Sequence, residues 1–135
     1  MQTLVAVSAL INKGDNCLFI KQNKVGGAYP GTLHLPGGRI EPDENPLEAI
    51  AREVKEEVGL TNLDFKVADF DWDTIDYKGE STRFIFLRFT AELTDDQEPH
   101  PGDDAEEILW INKADFLTVD LNSPTLRLLR YLNLV

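Results

Sequence analysis

The sequence predicts an α/β fold, an α/β/α sandwich in which helices cover both faces of a mixed β-sheet. Three observations predict it. Apolar runs at positions 3–11, 17–22, 81–93 and 108–111 read as strands with largely buried side chains. Two later segments, opening at Asn45 and at Ser123, carry helix-start signals and an apolar period of helical length. Strands and helices follow one another without a regular βαβ rhythm and without an internal repeat, so the sheet is expected to be mixed. The 135 residues suit a single domain, 1–135, with a core large enough to need no covalent or metal staple.

Charge and composition exclude several functions. Twenty-four acidic against 13 basic residues give a net charge of −11. A nucleic-acid polymer needs clustered Lys and Arg and is therefore an unsuitable partner. A small phosphorylated ligand that arrives with metal ions is not excluded, because the metal inverts the local field. Cys17, the single cysteine, rules out an internal disulfide and sits in an apolar run as a small buried hydrophobe. The N-terminal stretch lacks the basic region and cleavage site of a signal peptide, and no apolar run is long enough to span a membrane. The expected location is the cytoplasm.

Thr3 to Ile11 and Cys17 to Gln22 read as a hairpin turned at Asn12 to Asn16. Lys21 and Lys24 flank its end, as solvated lysines or with one of them meeting a phosphate. Val25 to Gly31 is a Gly/Pro loop expected at the rim of a cleft. His34 alternates with Leu33 and Leu35, so it points away from them, either to solvent or to a ligand. Pro36-Gly37-Gly38 stops that extended piece.

The helix that follows has legible ends. Asn45 is a good N-cap, Pro46 suits the first helical position, and Glu48 completes a capping-box pattern. Leu47, Ile50, Val54 and Val58 form an apolar stripe, and Gly59 supplies the left-handed C-terminal residue. Glu53, Glu56 and Glu57 fall at i, i+3 and i+4, so their carboxylates share one face, roughly 100° around the axis from the stripe. Crowded like charges repel unless a cation sits among them, and oxygen-only donors suit Mg2+ or Mn2+. Arg52 lies four residues after Glu48 and four before Glu56, placed to hold a carboxylate through a charge-assisted bond.

Beyond the helix, Leu63 to Asp76 is a long β-like stretch carrying Phe65, Val67, Phe70, Trp72 and Ile75. Asp76 to Glu80 reads as a turn. In Ser81 to Leu93, Phe84, Phe86 and Arg88 alternate against Ile85, Leu87 and Phe89, as a central strand would. Thr94 to Glu107 is an acidic loop in which His100 is an exposed non-ligand. Ile108 to Ile111 is the last strand and Asn112 caps a short helix. Ser123-Pro124 then opens a C-terminal helix that packs Leu128, Leu129 and Leu132 inward.

Residues 38–60 match, at every fixed position, the signature of the Nudix hydrolases: Gly38, Glu44, Arg52, Glu53, Val54, Glu56, Glu57, Gly59 and Leu60. Leu35-Pro36-Gly37-Gly38 also resembles the approach to that box in the family, and the likeness extends over essentially the whole chain. The resemblance implies a Nudix fold and metal-assisted hydrolysis of a nucleoside diphosphate linked to another group, with Mg2+ or Mn2+ as cofactor. It implies Glu53, Glu56 and Glu57 as metal ligands, joined by the Gly38 carbonyl. Arg52 orients a glutamate and Glu44 supports from outside. Phosphoanhydride cleavage needs charge neutralised on phosphate oxygens and an activated water. The base is Glu53, or else an acid of the late loop, Glu106 or Glu107, with Glu107 the alternative to Glu53.

Substrate choice lies outside the box. The run that marks NADH pyrophosphatases in the family is absent, as is the proline common in ADP-ribose pyrophosphatases. Tyr77 falls where diadenosine polyphosphate hydrolases tend to carry a tyrosine. Tyr29 to Leu33 and Asp120 to Thr125 resemble the small nucleoside triphosphatases that prefer pyrimidine deoxynucleotides. In that reading Phe70, Trp72 or Phe86 stacks on the base, unless these rings are core, and Asn122 reaches its edge. The expected reaction converts a nucleoside triphosphate to monophosphate and pyrophosphate. Dinucleoside polyphosphate or nucleotide-sugar hydrolysis is the alternative, and a non-catalytic nucleotide sensor is disfavoured by the intact glutamates. The expected partner is a small nucleotide, with no membrane, and the family's frequent dimers make a homodimer plausible.

Overall fold

The computed structural model describes residues 1–22, 29–102 and 105–135, without the side chains of Gln22, Ala105 and Glu106. Expectations placed on Lys24, on residues 25–28 and on the Glu106 carboxylate lie outside these residues. In chain order the elements are β1 (Gln2–Lys13), β2 (Asn16–Gln22), β3 (Leu33–His34), β4 (Gly37–Arg39) and helix α1 (Pro46–Val58). They continue with β5 (Lys66–Tyr77), β6 (Glu80–Glu92), β7 (Ala105–Asn112), a 3-10 helix at Lys113–Thr118 and helix α2 (Ser123–Tyr131).

β1 is the axis of the sheet. One edge pairs in parallel with β6, from Gln2 opposite Thr82 to Asn12 opposite Glu92. The other edge is divided. The β2 hairpin takes its end at Asn12 and Lys13, while β4 pairs with Ala6, Val7 and Ser8. β2 carries β3 and β7, and β5 pairs with β6 as the outer strand on that side. One parallel pair among antiparallel ones makes the sheet mixed, as predicted.

Alternation along β1 sends Val7, Ala9 and Ile11 to one face, where they meet Ile50, Val54 and Val58 of α1. Leu10 turns to the other face, with Cys17, Phe19, Phe116, Leu128 and Leu129. Cys17 is buried there, which pushes its thiol up to about 11. The α/β/α layering follows directly from this alternation.

Helix α1 begins as its sequence dictates. The Asn45 side chain accepts from the Glu48 backbone N–H at 2.9 Å, and the Glu48 carboxylate accepts from the Asn45 N–H at 3.0 Å. Gly59 ends it at φ 73°, donating to the Lys55 carbonyl. The apolar stripe needs correction. Leu47 is exposed, and the buried positions are Ala49, Ile50, Val54, Glu57 and Val58. At 100° per residue Glu57 falls near the centre of that group, so it belongs to the buried face and not to a separate acidic one.

Other boundaries also differ from expectation. Gly37-Gly38-Arg39, read as a stop, is a strand, because a backbone without Cβ can lie directly against β1. β7 starts at Ala105, inside the stretch read as loop. The β5–β6 turn narrows to Lys78-Gly79, both at positive φ as a two-residue hairpin requires. The cap of α2 is Asn122, one residue before the expected Ser123, and its side chain accepts from the Thr125 N–H at 2.9 Å.

Candidate active site

Arg52 organises the acidic side of the site. Its Nε and one terminal nitrogen grip both oxygens of Glu44, at 2.9 and 2.6 Å. Its other terminal nitrogen reaches Glu53 at 2.9 Å and Glu56 at 3.3 Å, while the terminal nitrogen on Glu44 also donates to the Arg39 carbonyl at 3.1 Å. A planar fork with five donors can hold several carboxylates in fixed directions, which a lysine cannot. Glu44 responds to that grip. Hydrogen bonds from Arg52 and from backbone lower its carboxyl to about 2.

Glu57 is the buried member of the box, only 7% exposed, and its Oε1 accepts from the Gly37 backbone N–H at 2.9 Å. Glu53 touches Glu57. Burial raises the Glu53 carboxyl above its ordinary value; Arg52 opposes this shift and Glu56 adds to it. Gly38 makes room for Glu53: a Cβ there would lie 2.6 Å from the Glu53 carboxylate. The strand β4 and helix α1 thus meet where a side chain at residue 38 would displace the Glu53 carboxylate.

This donor set fits a hard divalent cation in kind. Glu53, Glu56 and Glu57 offer only oxygens, and two of them touch, an arrangement that a cation stabilises. Among the described residues no three acidic, His or Cys side chains are already drawn together closely enough to hold a metal ion. Arg52 engages Glu53 and Glu56 in this arrangement.

The carboxylates open into a cleft of about 590 Å³ whose lining includes Gly37, Gly38, Arg52, Glu53, Glu56 and Glu57 at one end. Tyr29, His34, Tyr77, Phe84, Phe86 and Asn122 line it as well. Phe84 and Phe86 stack with ring centroids 5.8 Å apart, and Tyr77 stands edge-on to Phe84 at 5.1 Å. Burial raises the pKa of the Tyr29 hydroxyl, and so does the hydrogen bond it donates to Asp73 at 2.7 Å. His34 lies 3.3 Å from the Tyr29 carbonyl and 3.5 Å from the Asn122 amide, and burial lowers its pKa.

Four of the seven substrate-contact candidates, His34, Tyr77, Phe86 and Asn122, border the cleft. Phe70 and Trp72 do not; they are 72% and 57% exposed on the outer strand. Alternation explains the difference. After an irregularity between Val67 and Asp69, β5 turns Asp69, Asp71 and Asp73 inward, where Arg88 and Arg127 pair with them. Lys21 and Glu107 are opposite one another in the β2–β7 register; both are exposed and neither lines the cleft.

Sequence reading missed Arg39, Phe84 and Arg88 as cleft residues. Arg88 is 2% exposed, held by Asp69 and donating to the Pro124 carbonyl at the start of α2. Of the lining arginines, Arg52 and Arg88 are held by carboxylates, whereas Arg39 has no such partner among the described residues. The alternation of Phe84, Phe86 and Arg88 was the available signal. It said which residues share a face but not that the face opens on the cleft.

The NUDIX domain family matches residues 2–132, and the chain belongs to that family. It is a Nudix-type pyrophosphohydrolase. A relative from Escherichia coli (strain UMN026), nucleoside triphosphatase NudI, is 29% identical over 137 aligned positions covering 96% of each chain. Two solved structures share the fold at 23% identity. A MutT NUDIX hydrolase from Burkholderia pseudomallei has a TM-score of 0.82 over 97% of this chain and 98% of its own. A MutT protein from Methanosarcina mazei Go1 has 0.81 over 98% and 94%. No helix among the described residues is long and apolar enough to cross a membrane.

Proposed function

We propose that the cleft binds a nucleoside triphosphate, preferably a pyrimidine deoxynucleotide, and hydrolyses it to the monophosphate and pyrophosphate. The observation that carries this reading is the continuity of the cleft. One cavity is lined both by Glu53, Glu56 and Glu57 and by Phe86, Tyr77 and Asn122. A triphosphate beside the carboxylates leaves its base among aromatic rings and an amide. The two stretches that suggested pyrimidine deoxynucleotides both reach the cleft, through Tyr29 and through Asn122 and Thr125. The likeness to NudI, a nucleoside triphosphatase, supports the same substrate class.

Glu53, Glu56 and Glu57, with the Gly38 carbonyl, would hold divalent metal, Mg2+ or Mn2+. Bound there, the cation neutralises phosphate oxygens and makes water a better nucleophile. The chain's own part is positional and acid–base. Arg52 fixes the directions of Glu53 and Glu56. Arg39, free of carboxylate partners among the described residues, is available to phosphate oxygens. Glu53, raised by burial, accepts a proton from the attacking water as a P–O bond forms and the anhydride P–O bond breaks. Glu107, exposed and outside the lining, is a weaker candidate base.

A second reading, hydrolysis of a dinucleoside polyphosphate, is favoured by one observation, the presence of Tyr77 in the lining. Incubating the enzyme and Mg2+ with ribo- and deoxynucleoside triphosphates, diadenosine tetraphosphate and ADP-ribose, then separating the products, tests both. A triphosphate giving monophosphate and pyrophosphate supports the first reading. Preference for diadenosine tetraphosphate over every triphosphate would replace it with the second.

A further inference from the structure

Tyr29 reaches the cleft from a turn that lies outside the strands and helices, yet both ends of the residue are fixed. Pro30 and Gly31, the latter at φ 78°, are the residue types that the centre of a type II turn requires. Thr32 closes this turn by donating its hydroxyl to the Tyr29 carbonyl at 2.8 Å, and the His34 ring stands 3.3 Å from the same oxygen. At the far end the Tyr29 hydroxyl donates to Asp73 Oδ2 on β5, 44 residues away in sequence. Asp73 is itself held. It pairs with Phe84 in the β5–β6 register and so shares the face of Phe84, Phe86 and Arg88. Its other oxygen accepts from the Thr74 N–H at 3.0 Å. Arg127 of α2 lies 3.9 Å from it, while the Arg127 Nε grips Asp71, its neighbour on that face, at 2.5 Å.

We propose that Tyr29 is a wall against which the nucleoside packs, and that Asp73 is the positioning residue that holds this wall in place. The role presupposes the nucleotide substrate proposed above. Chemistry is the first argument. The hydroxyl proton is committed to Asp73, and burial together with that bond keeps the phenol protonated. What the side chain has left to offer a ligand is its ring. A ring packs on any base, because every base has a flat face, and does not read the base's hydrogen-bonding edge.

Placement is the second argument. Tyr29 lines the same cleft as the Phe84–Phe86 stack, and its hydroxyl is fastened to the residue opposite Phe84. The clasp is built from β5, α2 and residues 29–34. Loosening it therefore changes the nucleoside end of the cleft and leaves in place the Arg52 bonds that fix Glu53 and Glu56. Entropy is the third. A tyrosine on a turn that has lost its anchor regains rotamer freedom, and each ligand that packs on it must order it again. Affinity for nucleosides then falls without a change in the chemistry at phosphorus.

Steady-state kinetics with the best triphosphate, beside inhibition by inorganic tripolyphosphate at fixed free Mg2+, tests the proposal. Tyr29→Phe keeps the ring and removes the hydroxyl. Its KM should rise about tenfold, to a similar degree for every base, with kcat within about twofold of wild type. Asp73→Ala should do the same, and the double variant should be no worse than either single one, because both remove one bond. Asp73→Asn, which retains an acceptor, should recover most of the loss. Tripolyphosphate has no nucleoside, so its inhibition constant should hold in every variant, which separates a nucleoside wall from general damage to the fold. Should Asp73→Ala fail to fold, Tyr29→Phe decides the matter alone. Should diadenosine tetraphosphate prove the better substrate, the triphosphate reading fails, and the same comparison made with that substrate still tests the clasp. An unchanged KM in Tyr29→Phe, additive losses in the double variant, or tripolyphosphate inhibition weakened in step with KM would overturn the proposal.

Discussion

Glu57 Oε1 accepts a hydrogen bond from the Gly37 backbone N–H at 2.9 Å, tying the buried end of the box helix to the glycine strand. The bond explains how a carboxylate can lie 7% exposed on the core side of α1. Glu57→Gln separates charge from this structural role, because an amide oxygen still accepts from Gly37. The expected result is a fall in kcat of about 10²-fold or more with the melting temperature held within a few degrees. Steady-state kinetics beside a thermal melt checks it.

The two adjacent glycines should fail in different ways. At Gly37 a Cβ would lie 2.1 Å from the Val7 carbonyl oxygen, which is backbone and cannot move aside. Gly37→Ala should therefore cost about 1–3 kcal/mol of stability or more. At Gly38 the Cβ meets the end of the Glu53 side chain, which can swing away. Gly38→Ala should keep most of the stability and lose most of the turnover. Denaturant unfolding together with assays of the same preparations distinguishes the two.

Glu44 gives a pH signature. Its carboxyl sits at about 2 in the fold, against an ordinary 4.5, because Arg52 and backbone hydrogen-bond to the ionised form. Between those values the unfolded chain binds more protons at this site, so stability rises with pH through the window. The contribution is complete above 4.5 and is lost as pH falls toward 2. Glu44→Gln should therefore unfold with a shallower pH dependence across that range than the wild type, measured by melts at successive pH values.

Asn122 serves both the α2 cap and the cleft, and two variants separate these roles. Asn122→Ala removes the acceptor for the Thr125 N–H and should cost about 1 kcal/mol. Asn122→Asp keeps the acceptor while removing the amide donor that faces His34 and the cleft. Its melting temperature should hold while the relative KM values for different bases change. A uniform loss of kcat with unchanged base preference would argue against contact with the base.

These predictions rest on elements that differed in how legible they were. Helix α1 could be read from Asn45, Glu48 and Gly59 because caps act within a few residues of chain, and the full run of box residues identified the family. What lay beyond reach depends on neighbours distant in sequence. Phe70 and Trp72 look like core or base platforms by type, but they point outward because β5 turns its aspartates toward Arg88 and Arg127. Gly37 to Arg39 reads as a stop by propensity, yet forms a strand because β1 presents an open edge at Ala6 to Ser8. Burial of Glu57 in the stripe escaped notice because a charge is assumed to face water until a specific backbone partner, here Gly37, is found.

The central claim is that Glu53, Glu56 and Glu57 act on a nucleotide phosphoanhydride through a bound divalent cation. Pyrophosphate release from the best triphosphate, followed before chelation, after exhaustive removal of divalent metal, and again after adding Mg2+, tests it most directly. The account predicts that chelation reduces turnover to background, that Mg2+ restores it, and that Glu57→Gln is not restored at the same Mg2+ concentration. Undiminished turnover in the metal-free enzyme would contradict it.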